Sequence, residues 1–199
     1  MSKIKGSSPS LSNNGQRGRS TQSRGVTLIE LMIVVAMVSV LATLASVGYS
    51  RYIRSAKTAE ATQMLGTIKS AQEAFKSETF RYLKVSKDLT TPYPQGADAD
   101  VGKLKYAWEG GEPGSAGENF QALGVTSTAP VQYGYASVAG SASEDLPTLP
   151  LDFVTPTWPD PGGPWYVAVA WADLNGDGVK GGYVTSSLTA EIVSLREGE

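Results

Sequence analysis

The sequence predicts an α+β fold: one long N-terminal helix packed against a C-terminal antiparallel β-sheet. Three observations predict it. Val26 to Ser50 is an apolar run that holds a single charge, Glu30. From Arg51 the polarity changes, but apolar residues recur at helical spacing. Ten of the eleven prolines then lie from Pro92 onward, among segments of alternating large and small residues.

Residues 1–25 carry Lys3, Lys5, Arg17, Arg19 and Arg24 with no acid, in a background of Ser, Gly, Asn and Gln. Such a stretch buries little and reads as a basic leader without fixed structure. The run 26–50 would form a helix of about 37 Å, against about 30 Å of bilayer hydrocarbon. It can span a membrane once. The basic leader places its start on the cytoplasmic side. A plain signal anchor, or a secretory signal cut near Ala45 to Gly48, would explain the apolarity equally. Neither gives a role to Glu30, although a carboxylate in hydrocarbon costs a few kcal/mol, about 3 on the gentlest scale. Snorkelling into the headgroup zone is the other reading of that residue.

The second half of the helix is expected over residues 51–83. Ala61, Met64, Leu65, Ile68, Ala71 and Phe75 form one apolar stripe, with Lys57, Glu60, Lys69, Glu73 and Lys76 on the other faces. No proline occurs between residues 26 and 91, so one continuous helix ending near Phe80 to Leu83 is predicted. The stripe reads as core packing. Residues 84–199 are expected to form a globular, β-rich head, with residues 84–130 as loop holding little regular structure. Val131 to Val138 alternates as a half-buried strand does, and Trp165 to Trp171 reads the same way. Tyr183 to Leu188 and Glu191 to Leu195 are weaker strands.

Composition narrows the function. The chain has no Cys and no His, which removes disulfides, thiolate nucleophiles and the commonest general base. It shows no Gly-x-Ser-x-Gly and no phosphate-cradling Gly-rich loop, so no enzyme is expected. Residues 84–199 hold six Lys or Arg against fifteen Asp or Glu. That acidic balance predicts no nucleic-acid partner for the head.

Asp173-Leu174-Asn175-Gly176-Asp177-Gly178 matches the first half of an EF-hand loop, with oxygen donors at positions 1, 3 and 5 and Gly at 6. Asp173, Asn175 and Asp177 are therefore candidate Ca²⁺ ligands. Position 12 is Val184, so the bidentate Glu is missing. The alternative is a β-hairpin turn in which these residues serve the backbone.

Gly25-Val26-Thr27-Leu28-Ile29-Glu30-Leu31-Met32-Ile33-Val34-Val35-Ala36 resembles the class III signal of type IV pilins and type II secretion pseudopilins. The resemblance implies a pilin-like fold and a structural role. It implies cleavage between Gly25 and Val26 by a prepilin peptidase and methyltransferase, followed by N-methylation of Val26. It implies that Glu30 pairs with the Val26 amine of a neighbouring subunit. The partners implied are other pilin subunits, in a homo- or hetero-polymer, and an inner-membrane assembly platform. The protein would be single-pass in the inner membrane first, then part of an extracellular pilus serving motility, adhesion or DNA uptake. In a type II secretion pseudopilin it would be part of a periplasmic pseudopilus, where calcium also stabilises the C-terminal region. A reading from another class is a monomeric membrane-anchored module binding Ca²⁺ or another ligand; the filament readings require no cofactor.

The chain departs from the family pattern at Val26, where Phe or Met is usual, at Ser39 in place of Gly, and at Val47 in place of Pro. The leader is also longer than is usual there. These departures leave major and minor subunit both open.

Overall fold

The computed structural model describes residues 25–94, 101–150 and 157–196. The expected leader lies outside them except for Gly25. The element order is α1 (Leu28–Thr79), α2 (Ala116–Ala122), β1 (Gly134–Gly140), β2 (Trp165–Ala172), β3 (Gly181–Ser186) and β4 (Thr189–Arg196). Two units divide the chain, one up to Ala45 and one from Ser46 onward.

In the first unit, the apolar residues of α1 are solvent-facing all round, from Leu28 to Leu44. The apolar span Leu28–Tyr49 has 22 residues and a mean hydropathy of 2.5, and no part of it is buried against the rest of the described residues. At about 33 Å it is long enough to cross a bilayer. Ser39 and Thr43 return their hydroxyls to the carbonyls of Val35 and Val40, at 2.7 Å each, so both polar groups are satisfied within the helix.

In the second unit, the predicted stripe becomes core. Ala61, Leu65 and Ile68 are fully buried with residues of the sheet, and Met64, Ala71 and Phe75 pack against that core. The helix ends at Thr79. Phe80 follows at φ 60, and its N–H donates to the carbonyl of Lys76 at 2.8 Å. This is a left-handed helix cap made without glycine.

The sheet is antiparallel in the order β1-β2-β3-β4. Large residues sit opposite small ones. Trp171 lies between Gly134 and Gly182, Ala170 between Tyr135 and Tyr183, and Trp165 faces Gly140. A Cβ on Gly140 would overlap the Trp165 ring. Complementary sizes let broad aromatics fill a closely paired sheet.

Two expectations change here. The strand over Val131 to Val138 was expected to be half-buried, yet β1 to β3 are buried on both alternating sets of side chains. Residues 84–130 were expected to be loop, yet they hold α2 and supply part of the core. Val85, Leu89, Val101, Phe120, Leu123 and Val125 are all buried. Ser115 caps α2 by accepting from the Glu118 N–H at 3.3 Å. Phe120 then joins Tyr93, Trp108 and Tyr135 in a ring cluster with centroids 4.9–5.8 Å apart. The same segment covers the outer edge of β1. Tyr93 and Tyr135 exchange backbone hydrogen bonds at 2.8 Å, and Val85 and Ser86 donate to the Ser137 carbonyl. The edge is thereby protected from foreign strands.

Polar clamps tie α1 to the rest of this unit. The fully buried Gln72 holds both backbone groups of Leu83, accepting from its N–H at 3.0 Å and donating to its carbonyl at 2.8 Å. Glu60 accepts from the N–H of Gln132 at 2.7 Å and of Tyr133 at 3.2 Å, and from the Tyr135 hydroxyl at 3.5 Å. Burial above all raises the Tyr135 phenol well above its ordinary pKa, so it stays a neutral donor. Gln72→Leu keeps the bulk but removes the partner of two half-buried backbone groups, at about 1 kcal/mol each. It is expected to lower the melting temperature of detergent-extracted protein by several degrees, read by circular dichroism.

Candidate functional site

The predicted processing and assembly residues gather at the first turn of α1. Gly25 and Val26 precede the helix outside any regular element, and Val26 is 70% exposed. A Cβ built on Gly25 would meet nothing within 4 Å. Among the described residues, no packing calls for glycine there.

Thr27 is the residue that sequence reasoning missed. Its hydroxyl accepts from the Glu30 N–H at 3.3 Å, and its carbonyl accepts the first helical bond from Leu31 at 3.1 Å. The Glu30 carboxylate reaches back to the Thr27 N–H at 3.5 Å and to its hydroxyl at 3.4 Å. This is a capping box, in which Thr and Glu three residues apart satisfy each other's ends. The Thr-x-x-Glu spacing ahead of an apolar run was its readable signal. In the single chain Glu30 thus has local hydrogen bonds and the positive end of the helix dipole. These contacts are long and exposed, so they leave the carboxylate able to take a stronger cationic partner.

Asp173, Asn175 and Asp177 come together in the connection between β2 and β3. Asp173 is 7% exposed. Its two carboxylate oxygens accept from the Gly176 N–H at 2.6 Å and the Gly178 N–H at 2.9 Å. The Asn175 side-chain oxygen accepts from the Asp177 N–H at 2.9 Å. Asp177 accepts from the Val179 N–H at 2.7 Å with one oxygen and from the Asn175 amide at 2.9 Å with the other. Gly176 and Gly178 take φ of 78° and 90°, which the tight turn requires.

Ca²⁺ wants six to eight oxygens, about half from charged carboxylates. Here all five side-chain oxygens of the three candidates already accept hydrogen bonds, and an amide nitrogen faces Asp177. Position 12, Val184, is buried in β3 between Val169 and Val193. Among the described residues no group of three or more acidic side chains is placed to hold a metal ion. As arranged, the three side chains offer a cation two carboxylates and one amide oxygen, fewer donors than Ca²⁺ takes, each also serving a backbone or side-chain N–H of the turn.

An apolar span headed by one carboxylate, in a helix whose second half packs on an antiparallel sheet, defines a pilin-like α+β layout with a membrane-anchoring helix. The family comparison bears on the same end of the chain: residues 20–46 match the prokaryotic N-terminal methylation motif. The chain carries this motif, the class III signal peptide of type IV pilins and pseudopilins. No curated protein and no solved structure matches the chain.

Proposed function

We propose that the protein is a structural subunit of a type IV pilus, cleaved after Gly25, N-methylated on Val26 and assembled through its N-terminal helix. The observation that carries this reading is the bare span Leu28–Tyr49, apolar on every side and carrying Glu30 at its head. So much apolar surface requires lipid before assembly and neighbouring helices after it. The methylation motif supports the same reading.

The steps follow from the residues. The basic leader holds residues up to Gly25 at the cytoplasmic face. Cutting the Gly25–Val26 bond creates an ammonium at Val26. That amine lies four residues ahead of Glu30 in its own chain, and in a staggered bundle it meets Glu30 of the next. Neutralised so, the carboxylate can leave the membrane surface for an apolar filament core. In this reading the prepilin peptidase and methyltransferase and the assembly platform are the processing partners, and motility, adhesion or DNA uptake the role of the filament.

Mature protein from membranes is expected to begin at methylated Val26, read by intact mass and N-terminal sequencing. Sheared surface filaments containing it would support a pilus. A methylated form retained in the periplasm would point to a pseudopilus. An unmethylated monomer, absent from any polymer, would overturn both in favour of a plain anchor.

A further inference from the structure

The Asp173 turn raises a question of charge: what balances two carboxylates, one of them buried, within five residues. Buried charges in proteins are paired or bound to metal.

The segment beside the turn supplies a cation. Val101 accepts the Asp173 N–H at 2.7 Å, which lays residues 101–104 along the turn. Gln132 donates its side-chain amide to the Gly102 carbonyl. Gly102 sits at φ +104, and a Cβ on it would overlap the Asp173 backbone. Only glycine allows this approach. Lys103 follows directly. Its Cε lies 3.5 Å from where a Cβ on Gly176 would stand, over the middle of the loop. Lys180, also near the turn, holds its ammonium 4.2 Å from the centroid of the Trp171 ring.

We propose that the Lys103 ammonium is the counter-cation of the Asp173–Gly178 turn, standing in for a metal ion and making this part of the fold independent of calcium. Backbone N–H groups hold the carboxylate oxygens, and the lysine balances their charge. The end of the Lys103 stem lies against Gly176, and the exposed ammonium one bond further is the cation this segment brings to the turn. The proposal concerns the turn alone and stands whether or not the chain enters a pilus.

Thermal unfolding of the detergent-extracted full chain tests it, with Lys103→Met and Lys103→Arg beside the parent protein. Met keeps the stem and removes the charge; Arg keeps the charge. The parent is expected to melt at the same temperature in chelator and in millimolar Ca²⁺. Lys103→Met is expected to melt about 2–4 °C lower in chelator, the shift for about 1 kcal/mol in a chain of this size. Lys103→Arg should match the parent. A parent melting temperature that rises with Ca²⁺ would overturn the proposal, because the turn would then hold the metal. Equal melting of Lys103→Met and parent in chelator would overturn it as well.

Discussion

Glu30→Val is expected to remove the protein from surface filaments while leaving it in the membrane with its sheet intact. Glu30 makes its hydrogen bonds within the first turn of α1, to Thr27. Its loss therefore removes the reciprocal half of the capping box, keeps the Thr27 hydroxyl on the backbone N–H of residue 30, and breaks no contact of the core. The span stays apolar, and insertion is if anything favoured. Assembly is different. An ammonium buried among helices without its carboxylate costs about 3–5 kcal/mol, which shifts an equilibrium by two to four orders of magnitude, taking about 1.4 kcal/mol per decade. Glu30→Gln separates the two roles, since an amide can still accept from Thr27 but carries no charge. Thr27→Val removes the cap and leaves the charge. If pairing drives assembly, Glu30→Gln should fail as Glu30→Val does, and Thr27→Val should assemble at a modestly reduced level. Glu30→Asp, with a shorter reach, should assemble poorly. The measurement is subunit in sheared filaments against subunit in membranes. Parental filament levels from Glu30→Val would sink the pairing mechanism.

The helix was legible because its signals are local. Apolarity without proline marks α1 from residue 28, and the 3–4 spacing of Ala61, Leu65 and Ile68 marks its buried face. The strands were legible from alternation and turn residues, although their ends moved by up to three residues. What failed was the reading of residues 84–130. Their apolar residues are scattered singly among Lys, Gly, Glu and Ser, without a period. Val85, Val101 and Phe120 become core only because the chain folds back over β1, and that is a long-range fact. The same folding back explains why β1 is buried on both sets of side chains when its own alternation predicted one. Tyr135 meets the Trp108 ring and also reaches Glu60 on α1.

The two candidate sites differ in how much their residues could say. At the helix start, one carboxylate in an apolar run is a local anomaly, and the neighbouring Thr27 completes a pattern readable by eye. In the Asp173 turn, residue types alone could not separate metal binding from backbone service, because Asp, Asn and Gly suit both. Geometry shows the backbone service, since each side-chain oxygen of the three accepts a hydrogen bond within the turn. Lys103 was out of reach of sequence reasoning, being 70 residues before Asp173 and brought near it by the Val101 carbonyl.

Gly25→Leu is expected to keep the leader attached to nearly all of the protein. A peptidase must bring its catalytic groups close to the Gly25–Val26 bond, and a branched side chain on the residue before the cut obstructs that approach. Among the described residues, nothing lies within 4 Å of a Cβ there. The variant should therefore insert, fold and melt as the parent does, which isolates the effect to recognition. Gly25→Ala, with one carbon added, should be processed slowly and show both forms. Intact mass is the direct readout, because the unprocessed chain is heavier by residues 1–25. A second consequence follows from the electrostatics. Without cleavage no ammonium forms at Val26, and the basic leader stays joined to the helix. Glu30 then keeps only its contacts with Thr27, so Gly25→Leu should be absent from filaments, as Glu30→Val is, but with a different mass. The two variants thus remove opposite members of one pair. Efficient trimming of Gly25→Leu at Val26 would break the link between this glycine and the peptidase, and a parent protein starting at Met1 or near residue 46 would remove the pilin reading altogether.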